Sequence, residues 1–321
     1  MSRLRWASES VADASTSNTA STRVSVFCAC WPPGPLEREK RSSISTSGIA
    51  TRGVTRIDSG GMTAILLDVD GVLHLSGVAM PGAAEAVARL RRAGHRLRFV
   101  TNNTTRARRQ LAADLRALGI GLDDEELQTT PLAAGRLLAG KRVLALTMAA
   151  IHDDLGEHMT LVREDAEAVL LGGCDETDEN GRVFTYASLG RAFDEIRAGA
   201  RFVCLHRNRW WQTAGGPLLD AGAFVAGLEY ATGVRAEVVG KPSRAFFEAA
   251  LATLGAAPGE ATMVGDDIEA DIGGAKALGL SAVLVRTGKF REETLAAAER
   301  RPDAVLGSIA ELPAFLESAS Q

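Results

Sequence analysis

Four short apolar runs, each ending abruptly in polar or charged residues, constrain this chain more than any other feature. They are Ala64-Ile65-Leu66-Leu67 before Asp68-Val69-Asp70-Gly71, Leu97-Arg98-Phe99-Val100 before Thr101-Asn102-Asn103, Val238-Val239-Gly240 before Lys241-Pro242, and Thr262-Met263-Val264-Gly265 before Asp266-Asp267. Short, nearly continuous apolar runs predict strands buried on both faces, as in a parallel sheet covered by helices. Open sheets of that kind bind ligands beyond the carboxyl ends of their strands, so the groups that end these runs are predicted to project into a crevice.

The intervening segments carry helix signals. Pro81-Gly82 opens one helix that ends at Gly94; Leu111, Leu115 and Leu118 mark the next, with Thr104 or Thr105 as its cap and Gly119 as its stop. The core resumes near Glu237, followed by a helix carrying Phe247, Leu251 and Leu254, the Asp266 strand, and a last strand at Ala282-Val283-Leu284-Val285. Alternation of this kind predicts an α/β, Rossmann-like parallel-sheet core in three layers, with right-handed crossovers. A second alternating pattern runs from about Leu138 to Arg235, with candidate strands at Val143–Leu146, Ala168–Leu171 and Arg201–Leu205. The predicted organisation is a core of residues 62–137 and 236–321 interrupted by an α/β insert at 138–235.

Residues 1–61 differ from the rest: Ser and Thr make up roughly 30% of them, and Trp31-Pro32-Pro33-Gly34-Pro35 interrupts any regular element. They are expected to be a disordered leader or an upstream in-frame extension, with Met62 as the natural start. Glu9, Asp13, Glu37 and Glu39 argue against a targeting peptide.

Composition removes several function classes. A net charge of −4 and pI near 5.8 give no basic footprint for nucleic acid. There is no apolar stretch of about 18 residues to span a membrane. Cys28 and Cys30 lie in the leader, leaving Cys174 and Cys204, too few for a disulfide framework. That usage fits a reducing compartment, the cytoplasm. The five histidines show no metal-ligand spacing, and His74 reads as a flap residue.

Each strand-end group has an ordinary use taken alone: Asp-x-Asp-Gly is a turn signal, Thr-Asn a cap, a lone lysine a solvated charge, Asp-Asp a helix N-terminus. Together they form the ordered set that phosphoryl transfer needs: a carboxylate nucleophile, a hydroxyl, a cation and an acidic cluster. If a helix begins near Ile268, Asp267 and Asp271 share one face of its first turn.

This order resembles the haloacid dehalogenase-like hydrolase superfamily, whose four motifs match Asp68-Val69-Asp70-Gly71, Thr101, Lys241 and Gly265-Asp266-Asp267 through Asp271. The interval of about 140 residues between Thr101 and Lys241 resembles the class IIA members, whose cap is inserted between the second and third motifs. More specifically, Leu228-Glu229-Tyr230-Ala231-Thr232-Gly233, Glu237-Val238-Val239-Gly240-Lys241-Pro242-Ser243 and Val285-Arg286-Thr287-Gly288-Lys289-Phe290 resemble the phospholysine phosphohistidine inorganic pyrophosphate phosphatase group. Asp70 departs from that group, which often carries Ser there.

The resemblance implies a magnesium-dependent phosphatase for a small phosphorylated metabolite, pyrophosphate or an N-phosphorylated compound. Asp68 and Asp266, with the Asp70 backbone carbonyl, would hold the Mg2+. Asp68 would attack phosphorus to give an aspartyl-phosphate, and Asp70 would act as general acid and base. Thr101, Asn102 and Lys241 would hold the phosphoryl oxygens, with Asn103 assisting, while Asp267 and Asp271 orient Lys241 or metal-bound water. The same resemblance points to a homodimer. Substrate choice is expected in the insert, at Gly172-Gly173-Cys174-Asp175 and the loop from His206 to Gly216, where at most one of Trp210 and Trp211 should reach the substrate if that region is extended. A phosphotransferase and a non-catalytic phosphate-ester binding protein are the alternatives.

Overall fold

A computed structural model describes residues 63–174, 180–213 and 216–319. Residues 1–61, Met62 and Asp175 lie outside the described residues, and the expectations placed on them go with them.

Six parallel strands form the first sheet, in the order Ala304–Leu306, Ser281–Val285, Ala261–Gly265, Ala64–Asp68, Arg96–Thr101, Leu127–Thr129. The strand that leads to Asp68 is therefore central, with Leu67 opposite both Val264 and Phe99. Alternate side chains enter opposite apolar clusters. Ile65 and Leu67 pack with Phe99, Leu111 and Leu115, whereas Ala64 and Leu66 pack with Phe247, Met263 and Leu284. All four residues of the Ala64–Leu67 run are fully buried, which explains its lack of polar alternation.

Helices Ala83–Arg92 and Arg108–Ala117 cover one face, and Arg244–Leu254 covers the other through Phe247 and Leu251. Neither Thr104 nor Thr105 caps the second of these. The Asn103 Oδ1 accepts from the Thr105 and Arg106 amides at 3.1 and 3.2 Å, which makes a turn ahead of the helix, and Ala107 becomes its N-cap.

The second sheet has five parallel strands, in the order Glu237–Val238, Arg201–Cys204, Ala168–Leu171, Arg142–Leu146, Thr160–Leu161. The expected α/β insert is present, yet its edge strand is Glu237–Val238, which was expected to resume the core. Its backbone continues onto the same neighbour: the Val239 amide donates to Cys204 O at 2.9 Å and the Gly240 amide to Leu205 O at 2.8 Å. Val239 packs with Val203 and Leu205, so its burial is satisfied in the insert. An antiparallel hairpin, Trp210–Thr213 with Gly216–Leu219, completes this unit. Among the described residues, no helix is long and apolar enough to cross a membrane.

Candidate active site

The ends of the three central strands converge as the register requires, and Lys241 joins them from the second sheet. Lys241 Nζ donates to Asp68 Oδ1 at 2.5 Å and lies 2.7 Å from Asp271 Oδ1, with all three residues buried. The lysine reaches them because its backbone is clamped to the neighbouring strand end: Asn102 Nδ2 donates to Lys241 O and Lys241 N donates to Asn102 Oδ1, both at 2.9 Å. Asp271 Oδ2 in turn accepts from the Asp267 amide at 3.1 Å. Asp267 caps the helical segment Ile268–Gly273, accepting from the Glu269 and Ala270 amides at 3.0 Å.

Asp266 is held from the other side, its Oδ2 accepting from the Lys289 amide at 2.7 Å. Gly71 and Gly288 wall this carboxylate. Both have positive φ, +84° and +53°, and a Cβ at either would fall 2.0 or 1.9 Å from Asp266 Oδ2. Only glycine allows the backbone this close. The Lys289 ammonium also bonds Asp267 Oδ2, at 3.1 Å.

Asp68 and Asp70 sit in contrasting surroundings although two residues apart. The Asp68 side chain is 7% exposed; that of Asp70 is 42% exposed and faces the cleft. Asp70 Oδ2 accepts from Thr101 Oγ1 at 3.1 Å, and Asp70 Oδ1 is 3.7 Å from His74 Nε2. His74 belongs to a short hairpin, His74–Leu75 with Val78–Ala79, at the cleft.

Thr101 and Asn102, expected on the phosphoryl group, each also hold a neighbouring site residue, and Asn102 lines the cleft. Thr101 is fully buried, with its hydroxyl donating to Asp70 and accepting from the Asn103 amide at 2.8 Å. The Asn102 amide makes two bonds to the Lys241 backbone, and the Asn103 oxygen accepts within its own turn.

Burial first, then the charge of Asp271, pushes the Asp68 carboxyl up to about 8 against the pull of Lys241. Burial, with Asp68 and Asp271, also raises Asp266 well above the ordinary carboxylate range. Burial alone would lower Lys241, but Asp271 and Asp68 outweigh it and hold the ammonium above its usual range. Oxygens of Asp68, Asp266 and Asp271 lie within 4.8 Å of one another, and the lysine compensates only part of their charge. Concentrated hard oxygen donors with unbalanced negative charge fit a divalent cation of the magnesium kind. Asp68 and Asp266 are each bonded through one carboxylate oxygen, whereas both oxygens of Asp271 are engaged, by Lys241 and by the Asp267 amide, so the first two would hold such a cation.

The family model described as haloacid dehalogenase-like hydrolase matches residues 65–159, and one described as HAD-hydrolase-like matches 238–312. Phospholysine phosphohistidine inorganic pyrophosphate phosphatase of Xenopus laevis is 42% identical over 238 residues, covering 72% of this chain and 86% of the relative. The chain belongs to the haloacid dehalogenase-like hydrolases. The 4-nitrophenylphosphatase of Thermotoga maritima aligns with a TM-score of 0.73 at 26% identity, over 84% of this chain and 100% of that one. A glycerol phosphate phosphatase of Mycobacterium tuberculosis, crystallised with magnesium, aligns with a TM-score of 0.68 at 30% identity, over 79% and 78% of the two chains. The hydrolase is a phosphatase, as these relatives are.

Further residues of this phosphatase brace or line the cleft. Lys289 follows the Ser281–Val285 strand and serves both Asp266 and Asp267; its place just beyond another strand terminus was the available signal. The insert supplies His206 and Asp220 to the cleft wall, buried side by side with His206 Nδ1 3.8 Å from Asp220 Oδ2. Trp211 lines the same cleft, while Trp210 faces away beneath Arg291, as strand alternation requires.

Proposed function

We propose that this phosphatase is magnesium-dependent and acts on a small phosphorylated metabolite, pyrophosphate or an N-phosphorylated compound through an aspartyl-phosphate on Asp68. The observation that carries the reading is the Asp68–Lys241–Asp271 triad at the end of the central strand, beside Asp266. The magnesium-bound glycerol phosphate phosphatase supports the choice of metal.

A cation held by Asp68 and Asp266 would neutralise part of the negative charge that otherwise keeps a carboxylate from a phosphoryl group. Asp68 attacks phosphorus through a carboxylate oxygen, and the bond from phosphorus to the leaving atom breaks. Asp70, held by Thr101, gives its proton to that atom. A water then attacks the aspartyl-phosphate, Asp70 takes the water's proton, and phosphate departs with Asp68 restored. Lys241, fixed by Asn102, offsets charge that builds on the phosphoryl oxygens. The family resemblance also supports a homodimer, to be tested by sedimentation of the full chain.

Phosphate release from p-nitrophenyl phosphate should require magnesium and vanish in Asp68→Asn. Equal release by variant and wild type would sink the nucleophile assignment.

A further inference from the structure

The cation inventory of the cleft restricts what lies beyond the phosphoryl group. Among the described residues that line it, the only lysines or arginines are Lys241 and Lys289. Lys241 is taken by Asp68 and Asp271, and Lys289 by Asp267. Two arginines of the adjoining loop do not line it: Arg207 pairs with Glu229 at 2.7 Å, and Arg209 is solvent-exposed, 3.7 Å from Glu269.

The insert's own wall is uncharged or acidic where it meets the cleft. Asp220 is buried at 3% exposure, with Oδ1 accepting from the Ala221 amide at 2.7 Å and the Cys174 amide at 3.4 Å. These bonds hold its side chain at the cleft wall. His206 beside it contacts Thr104 Oγ1 through Nε2 at 3.3 Å, and burial holds its pKa below the ordinary histidine range, despite Asp220. It therefore adds no positive charge at neutral pH. Asn208 supplies a neutral amide.

One donor on this wall is unspent. Trp211 Nε1 is buried, lines the cleft and has no hydrogen-bond partner among the described residues. A buried N–H left unpaired costs free energy that a ligand acceptor would recover. An acceptor that is also a donor would satisfy both the indole and the carboxylate of Asp220, and a hydroxyl is such a group. An anionic group would meet the indole but also Asp220, with no unpaired lysine or arginine among the described lining residues to offset the repulsion.

We propose that the substrate is the phosphomonoester of an uncharged hydroxylated compound, whose hydroxyl lies between Trp211 Nε1 and Asp220, and that Asp220 excludes substrates carrying a second anionic group. This rests on the phosphatase reading above and narrows it, placing pyrophosphate and phosphorylated carboxylic acids among the poor substrates.

Glycerol 3-phosphate and 3-phosphoglycerate are a matched pair, differing by a hydroxymethyl group in place of a carboxylate. With saturating magnesium, kcat/KM for glycerol 3-phosphate should exceed those for 3-phosphoglycerate and pyrophosphate at least tenfold. Asp220→Asn, which keeps an acceptor for the two amides, should narrow the glycerol 3-phosphate to 3-phosphoglycerate ratio at least fivefold. Trp211→Phe should lower the ratio of glycerol 3-phosphate to p-nitrophenyl phosphate turnover. Magnesium-dependent p-nitrophenyl phosphate turnover accompanied by equal or better turnover of 3-phosphoglycerate or pyrophosphate would overturn the proposal and leave the phosphatase reading intact. A ratio unmoved by Asp220→Asn would overturn the assigned role of Asp220. Absence of all turnover, p-nitrophenyl phosphate included, would overturn both.

Discussion

Replacing Gly288 by alanine tests whether Asp266 is placed by the emptiness around it. The new Cβ would lie 1.9 Å from Asp266 Oδ2 and 2.8 Å from the Gly71 Cα. Ordinary contact begins at 3.4 Å, so the carboxylate would have to retreat by about 1.5 Å or the loop would have to move. Retreat is opposed by the Lys289 amide, 2.7 Å away on the same oxygen. The φ of +53° adds roughly 1–2 kcal/mol of strain for a residue with a Cβ. A displacement of about 1 Å at a reacting site costs on the order of a hundredfold in rate, which sets the expected loss at low magnesium. Activity measured over a magnesium titration should show a higher half-saturating concentration as well as the lower rate. Gly227→Ala is the control, since a Cβ there meets nothing within 4 Å and the residue lies inside helix Gly222–Thr232. Gly288→Ala activity within threefold of wild type at limiting magnesium would refute the reasoning.

Other perturbations follow from the same contacts. Because the folded-state pKa of Asp68 is raised to about 8 from 3.8, its protonation favours the folded state. That contribution is full below about pH 4 and disappears as pH rises through about 8; chelator-treated wild type should lose stability over this window relative to Asp68→Asn, and the opposite trend in urea melts would refute it. Thr101→Val removes the donor to Asp70 and orphans the Asn103 amide, at roughly 1–2 kcal/mol, so kcat should fall about tenfold in steady-state assays. Asn102→Ala deletes both bonds to the Lys241 backbone and should lower kcat/KM by about ten- to a hundredfold, with an unchanged value arguing that the lysine is fixed by its ion pairs alone. Leu66→Ala in the central strand should cost about 2–5 kcal/mol in denaturant titration without changing the magnesium requirement.

Much of the core was legible because burial on both faces leaves an apolar signature, and because parallel register brings the ends of adjacent strands to one edge. Ala64–Asp68, Arg96–Thr101 and Ala261–Gly265 pair as their sequences imply. Glu237–Val238 misled because two residues carry no periodicity, and apolarity alone does not say which of two sheets will bury them. The Lys289 amide bond to Asp266 is invisible for a different reason: a backbone donor has no residue identity. Nor could the order of residues show that Thr101 and Asn102 spend their polar groups on Asp70 and Lys241. Their types fit either use, and only geometry separates a contact to substrate from one to a neighbour. His206 and Asp220 are fourteen residues apart with no motif between them, and they meet because the Trp210–Leu219 hairpin folds back.

Lys241 follows the edge strand of the insert's sheet by three residues, yet its backbone is bolted to Asn102 on the core. The ammonium beside Asp68 is thus mechanically common property of both units. A substitution that shifts Glu237–Val238 would be transmitted through a few peptide units to the group beside the nucleophile. Recognition can diversify freely only at a distance from that edge, toward Arg142–Leu146 and Thr160–Leu161, where altered packing has no such short lever on the chemistry.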